Sequence, residues 1–206
     1  SSYAPPTIMA YSGPGSSRAR TRGDDAIQIF GKNFGTVARN AVDFVRYGME
    51  GSPEYTAAGC RVTVDHEEIT CKTAEGAGAG LLWVVMIDGQ LSTVTTTDYA
   101  PPEILGFEGP GASNAATDGG QEVFLVGRFF GSPSEPYLES VLYGPAYNPT
   151  PSCTVLSHER IHCKTVPGVG RDLRWQVLVR GQQSEYSAAT TSYAMPELLY
   201  MYPNGT

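Results

Sequence analysis

One segment of this chain recurs three times at nearly even spacing. It reads Tyr-Ala-Pro-Pro at residues 3–6 and again at 99–102, and Tyr-Ala-Met-Pro at 193–196. Tyr3 and Tyr99 are 96 residues apart, and Tyr99 and Tyr193 are 94 apart. The spacing predicts two complete units, residues 1–98 and 99–192. It also predicts that residues 193–206 are the start of a third repeat or a C-terminal tail.

The two units also match in their interiors. The stretch CRVTVDHEEITCKT from Cys60 returns as CTVLSHERIHCKT from Cys153, and LLWVVMIDGQLS from Leu81 returns as LRWQVLVRGQQS from Leu173. Matching residues at a nearly constant offset along a whole unit indicate a duplication. Each unit of about 95 residues is long enough to bury a core of its own.

Short apolar runs with a period of two predict β-strands throughout. In unit one, Trp83, Val85 and Ile87 alternate with Leu82, Val84 and Met86. No amphipathic helix pattern is visible, and Asp88-Gly89 is placed to form a hairpin turn. Seven short strands at this spacing favour an all-β fold of two tandem immunoglobulin-like sandwiches. The predicted strands of unit one lie near 7–11, 26–31, 41–47, 60–64, 68–73, 81–88 and 93–98.

The paired prolines predict a stiff connector between the sandwiches. Proline fixes its own φ and restricts the residue before it, so Pro101-Pro102 favours an extended backbone. Only a few residues separate the strand ending near Asp98 from the next strand, so we expect little rotation between the units. The prolines also suit protection of a sheet edge, which is a second interpretation.

The net charge of −7 does not suggest a nucleic-acid partner, because such proteins present a basic face to phosphate. The three arginines Arg18, Arg20 and Arg22 form the single basic run, and Asp24 and Asp25 follow it directly. We interpret the run as a solvated loop. No apolar stretch is long enough to span a bilayer, so we expect no membrane insertion by this segment.

Four cysteines occur as two equivalent pairs, and three connectivities are possible. The simplest pairing joins Cys60 to Cys71 and Cys153 to Cys163, within single units. Disulfides here predict an oxidising compartment, outside the cytoplasm. Four buried free thiols are the alternative.

A Pro-Pro entry, a Gly-rich turn, the GKNFG segment at 31–35, the Cys…Ile-x-Cys-x-Thr stretch and a valine-rich strand before Gly-Gln resemble the IPT/TIG domain. Unit two has GRFFG in place of GKNFG and is the more divergent copy there. The resemblance implies an immunoglobulin-like sandwich of the E-set type, found in plexins and other surface proteins. It also implies relatives among starch-acting enzymes and Rel-type transcription factors, so it is weak evidence for function.

Residues 158–162 spell His-Glu-Arg-Ile-His, the zinc-protease string. That chemistry needs a helix, where two histidines four residues apart share one face. Four residues of strand span roughly 13 Å, too far for both imidazoles to bind one zinc, and the sister unit has Thr70 at the second ligand position. We expect no catalytic residue, no metal and no cofactor. Trp83 and Trp175 are expected in the cores rather than on a sugar-binding surface.

These features favour a non-enzymatic pair of modules from a larger extracellular or cell-surface protein, acting in adhesion and recognition or as a rigid stalk. The expected partner is a protein on another cell or a neighbouring module of the same chain. Loops carry binding more often than cores do, so the insert at 132–151, with Tyr137, Tyr143 and Tyr147, is the candidate partner-binding loop. Asn204 begins a glycosylation acceptor string.

Two other functions remain open at this point. The first is an accessory domain pair of a secreted carbohydrate-active enzyme, which predicts exposed aromatic rings lined up on one face. The second, less favoured, is an intracellular Rel-type DNA-binding module, which predicts basic loops and reduced cysteines.

Overall fold

A computed structural model describes residues 4–92, 95–144, 148–149 and 152–198 of the chain. Within these ranges every regular element is a β-strand, and all the strands that pair do so in antiparallel fashion. No helix in the described ranges is long and apolar enough to cross a membrane. The all-β prediction is confirmed.

In its described residues, the first sandwich contains nine strands. They are β1 (Thr7–Ser12), β2 (Ala26–Lys32), β3 (Val42–Met49), β4 (Ser52–Thr56), β5 (Ala58–Val64), β6 (Glu68–Lys72), β7 (Leu81–Ile87), β8 (Gln90–Leu91) and β9 (Thr95–Thr97). The periodicity did not predict β4 or β8. Both are short strands at a sheet edge, where polar residues and Pro53 interrupt the alternation.

The second sandwich repeats this order. Its strands are β10 (Glu103–Glu108), β11 (Glu122–Arg128), β12 (Leu138–Tyr143), β13 (Asn148–Pro149), β14 (Cys153–Ser157), β15 (Arg160–Lys164), β16 (Trp175–Val179) and β17 (Gln182–Gln183). One sheet has the order β1-β2-β6-β5 in unit one and β10-β11-β15-β14 in unit two. The other has the order β4-β3-β7-β8, with β9 on β7, and β13-β12-β16-β17.

Each core is built around a tryptophan on the central strand of the second sheet. Trp83 is fully buried and stacks on Tyr47 with ring centroids 3.9 Å apart, and Trp175 stacks on Tyr143 at 4.0 Å. The indole Nε1 of Trp83 donates to Thr97 Oγ1 at 2.6 Å. The predicted core positions of both tryptophans are confirmed.

The repeated tyrosine closes the core of the unit that precedes it. Tyr99 is 1% exposed, and its hydroxyl lies 2.6 Å from that of Tyr47 and donates to the carbonyl of Ala74. Tyr193 pairs with Tyr143 in the same way, at 2.7 Å. Each of these tyrosines opens a predicted segment, yet each packs in the core of the sandwich before it.

Each sandwich carries one disulfide, Cys60–Cys71 or Cys153–Cys163, and no cysteine is free. Each bond joins neighbouring strands of the same sheet, β5 to β6 and β14 to β15. Closing a loop of this length stabilises the fold by roughly 3 kcal/mol in the chain-entropy model. The hairpin turns also form as predicted, with φ of +48° at Asp88 and +77° at Gly89.

Burial of the core tyrosines predicts loss of stability in alkali. Desolvation raises the pKa of Tyr47 to about 12 and raises the pKa of Tyr99 further. In the unfolded chain the phenol groups of both tyrosines lose their protons near pH 10, whereas in the folded chain they stay protonated at that pH. The contribution of these tyrosines to the free energy of unfolding is therefore constant below pH 10 and falls above it, by about 1.4 kcal/mol per pH unit for each tyrosine.

Urea titrations at a series of pH values measure this slope. Tyr47→Phe should make the slope above pH 10 shallower, because one of the buried phenol groups is then absent. A stability that stays level up to pH 12 would contradict the prediction.

Candidate functional site: the junction between the sandwiches

A very short connector joins the two sandwiches. Tyr99 is held by unit one through its amide, which donates to Gly78 O at 2.9 Å. The amide of Ala100 donates to Ala19 O at 2.9 Å, and β10 begins at Glu103. Pro101 and Pro102 fill the space between, so the connector has few free torsions.

A buried histidine of unit two bridges two residues of unit one. His158 lies in the β14–β15 turn, 9% exposed, with Nδ1 2.8 Å from Thr21 Oγ1 and Nε2 2.8 Å from Glu75 Oε1. A carboxylate can only accept, so Nε2 carries the proton. In the neutral ring Nδ1 then accepts from the Thr21 hydroxyl. Both ring nitrogens are therefore used across the junction.

Two ion pairs lie at the rim of the junction. Arg22 of unit one holds Glu159 through Nε at 2.9 Å, and this hydrogen bond lowers the pKa of Glu159 below its ordinary value. Arg180 of unit two pairs with Glu54 and lies 4.9 Å from the centre of the Tyr137 ring. The Arg180–Glu54 pair is the more buried of the two, with side-chain exposures of 22% and 31%, so solvent screens it less.

The glutamine after the β16–β17 turn contacts the connector itself. Gln182 Nε2 donates to Tyr99 O at 2.9 Å, and its Oε1 accepts from Gly78 N at 3.2 Å. Gly78 has a φ of +107°, and a Cβ there would lie 3.3 Å from Arg180 Cδ. Glycine at 78 thus permits both the backbone conformation and the close approach of unit two.

Apolar contact completes the junction. Tyr137 and Val179 belong to unit two by sequence, yet they pack into the core cluster of unit one. The Tyr137 hydroxyl lies 3.3 Å from that of Tyr55, and burial is the main cause of its raised pKa. Beside these rings a cleft of about 270 Å³ opens between the units, lined by Glu54, Glu75 and Glu135 among others.

The candidate partner-binding tyrosines are not on an open surface. Tyr137 is 8% exposed at the junction, and Tyr143 is 4% exposed in the core of unit two. Packing against Trp175 and Tyr193 explains the burial of Tyr143. Neither side chain is therefore available to a partner. Tyr147 and the glycosylation candidate Asn204 lie outside the described residues.

The zinc-protease string does not form a helix. His158 and Glu159 lie in a turn and His162 lies on β15, as the strand pattern predicted. His162 packs beside Phe124, at 5.1 Å between ring centroids, whereas His158 faces unit one. Within the described ranges no three metal-ligating side chains are grouped to hold an ion.

The basic run is largely neutralised by neighbouring acids. Arg20 pairs with Asp25 and Arg22 with Glu159, and Lys72 pairs with Asp24. The interpretation as a simple solvated loop was incomplete, because Arg22 contributes to the junction.

Sequence reasoning did not identify the junction residues. One signal was present: His66/His158 and Gln90/Gln182 are identical in both copies although they lie outside the core alternation. Their partners are 83 to 137 residues away in the chain, so no local pattern reveals them.

No protein-family model matches this chain, and no curated protein sequence matches it. Among solved structures, it is similar to a surface glycan-binding protein from Prevotella bryantii, with a TM-score of 0.50 and 12% identity over 91% of this chain and 42% of that one. The Yersinia pseudotuberculosis adhesin InvE gives a TM-score of 0.47 and 10% identity over 91% of this chain and 58% of the adhesin. The plexin A4 extracellular region gives 0.37 and 16% over 91% and 18%.

These similarities are at the level of the fold. The chain spans less than half the length of the Prevotella protein. At a TM-score of 0.50 and 12% identity, the similarity to the Prevotella protein extends to the fold alone.

Replacing Gln182 by alanine should weaken the junction. The change removes two hydrogen bonds and leaves the Gly78 amide unpaired, which we expect to cost about 1–2 kcal/mol. The matched control is Gln90→Ala, at the equivalent turn of unit one, where we expect a change within about 0.5 kcal/mol. Urea unfolding of the full chain measures both, and equal effects of the two substitutions would contradict a junction role for Gln182.

Proposed function

We propose that this chain is a non-enzymatic pair of IPT/TIG-type modules from a larger extracellular or cell-surface protein, and that it acts as a rigid spacer. The observation that carries the proposal is the junction. His158, Arg180 and Gln182 all reach from unit two into unit one. Such a junction holds the two sandwiches at a fixed angle. It therefore fixes the distance and orientation between the parts of the parent protein that are attached at the two ends.

The physical basis of the stiffness is the combination of a short connector and buried polar contacts. Rotating one unit about the connector would break the bonds of His158 to Thr21 and Glu75 and expose a half-buried ion pair. Leaving a buried polar group without a partner costs about 1–3 kcal/mol for each group. The docked arrangement is therefore strongly favoured over a swivelling one.

An extracellular site of action fits the two disulfides, which form and persist in oxidising compartments. The low net charge density and the solvated outer faces suit a module that contacts proteins. Its partners in this proposal are neighbouring modules of the parent chain or a protein on another cell. Recognition would lie on surfaces other than Tyr137 and Tyr143, which are buried.

The two alternative functions have less support. A sugar-binding face needs a row of exposed rings, and within the described ranges Tyr186 is the one aromatic side chain that is more than a third exposed. A Rel-type DNA-binding module needs a basic surface. Here Arg20 and Arg22 are bound by carboxylates.

A distance measurement between the units tests the spacer. Spin labels attached by non-cysteine chemistry at exposed Arg61 and Leu156 should give one narrow distance distribution. Arg180→Glu should broaden it, because Glu54 then faces a like charge. The double variant Arg180→Glu with Glu54→Arg should narrow it again. A broad distance distribution in the unmodified chain would contradict the proposal.

Alkylation of the cysteines tests the proposed extracellular compartment separately. Protein isolated from its native source under denaturing, non-reducing conditions should resist alkylation, because all four cysteines are in disulfides. After reduction the same sample should take up four labels, one for each cysteine. Full labelling without reductant would place the chain in a reducing compartment and remove the extracellular assignment.

A further inference from the structure

The internal duplication locates, on unit one, the surface that unit two uses at the junction. The Asp88 amide donates to Ala41 O, as the Arg180 amide donates to Tyr137 O. The two hairpins are therefore equivalent, and Asp88 corresponds to Arg180. By the same alignment Gln90 corresponds to Gln182, and His66 to His158. We call the region around His66, Ile87, Asp88 and Gln90 the free pole of unit one.

Equivalent residues differ in exposure between the free pole of unit one and the junction surface of unit two. His158 is buried at the junction, whereas His66 is exposed on the free pole. Where the junction has the large Tyr137, the free pole has Ala41, and a cavity of about 300 Å³ opens beside it. The free pole thus has the shape of the junction surface of unit two with unit one removed.

The bridging groups are retained on this free pole. His66, Glu67 and Gln90 are the same residue types as His158, Glu159 and Gln182, each of which bonds across the junction. None of them is needed in a core, since His66 and Glu67 are exposed and Gln90 is half-buried. The set can therefore make the same three kinds of contact with an incoming unit.

The rim charges, by contrast, are reversed. Asp88 stands where the junction has Arg180, and Arg39 stands where unit two has Glu135. Asp88 and Arg39 pair with each other at 3.1 Å, with both side chains more than half exposed. In the junction Arg180 pairs with Glu54, so an occupant of the free pole needs a basic side chain at the position equivalent to Glu54.

A second copy of this chain is a poor occupant. The end of unit two that would dock carries Asp118 where unit one has Arg22, and Pro167 where unit one has Glu75. Asp118 would face Glu67, a pairing of like charges. The Pro167 side chain, unlike that of Glu75, offers no acceptor for the His66 ring.

We propose that the free pole of unit one docks another sandwich unit of the same kind, joined through the Tyr-Ala-Pro-Pro segment at 3–6. This unit carries basic side chains at the positions equivalent to Glu54 and Arg22. The proposal rests on the proposed role as part of a longer array of modules.

A three-unit chain tests this. A second copy of residues 4–98 is joined directly ahead of Tyr3, so that Tyr3 closes the added copy as Tyr99 closes unit one. The added copy carries either its own Glu54 or Glu54→Arg. A third chain keeps Glu54 in the added copy and has Asp88→Arg with Arg39→Glu in the receiving unit, which restores the charges of the internal junction.

The readout is amide hydrogen exchange at Gly78 of the added copy, whose amide would donate to Gln90 of the receiving unit. The three chains are compared at equal protection of the Trp83 amide in the added copy, which establishes that this copy is folded. Gly78 exchange should be about tenfold slower in the two charge-matched chains than in the mismatched one. Relative to the unmodified two-unit chain, the NMR resonances of the His66 ring in the receiving unit should shift only in the two charge-matched chains.

Either of two results would overturn the proposal. One is equal exchange at Gly78 in all three chains, and the other is concentration-dependent self-association of the unmodified two-unit chain through the free pole. The internal Gly78–Gln182 bond serves as the reference in every sample. If that bond stays protected while the free pole shows no docking, the rigid spacer stands and only this inference fails.

Discussion

The arrangement of the whole molecule depends on the tyrosine that closes unit one. Tyr99 fills the core beside Tyr47, and its hydroxyl satisfies the carbonyl of Ala74. Its backbone is held on both sides, because its amide donates to Gly78 and its carbonyl accepts from Gln182. The same residue therefore ends one core, anchors the connector and begins the junction. The point and direction in which the chain leaves unit one are fixed by core packing, and the prolines only preserve that direction.

The polar junction adds specificity to this anchor. An apolar contact alone tolerates sliding, because the hydrophobic effect is not directional. The pairs Thr21–His158–Glu75 and Arg180–Glu54 are satisfied in one relative orientation. Since unpaired buried polar groups are costly, orientations that break them are excluded even where apolar burial would be similar. The angle between the sandwiches is thus set by hydrogen bonds, while Tyr137 and Val179 add apolar contact that has no preferred direction.

The sequence predicts the cores well and the junction poorly, for a physical reason. Alternation around Trp83, the paired cysteines and the turn at Gly89 are local signals, and each corresponds to an element in the structure. A repeated pattern, however, does not define where one unit ends. Tyr99 opens the visible repeat but packs in the preceding core. Tyr137 is predicted in a binding loop because loops carry binding more often than cores do. Its partner, Tyr55, lies 82 residues away, and no spacing rule reports such contacts.

Comparison of the two copies distinguishes the residues that set the mode of docking from the residues that determine which units dock. The bridging histidine and the turn glutamine are identical at both poles, so the mode of docking is the same wherever it occurs. The rim charges are opposite, with Arg180 in one copy and Asp88 in the other. Because a like-charge pair at a partly buried rim opposes docking, we expect the Glu54 end of unit one to fit unit two better than it fits the free pole of a second unit one. A chain of sandwiches that share one fold needs such a device, since shape alone would allow any unit to follow any other.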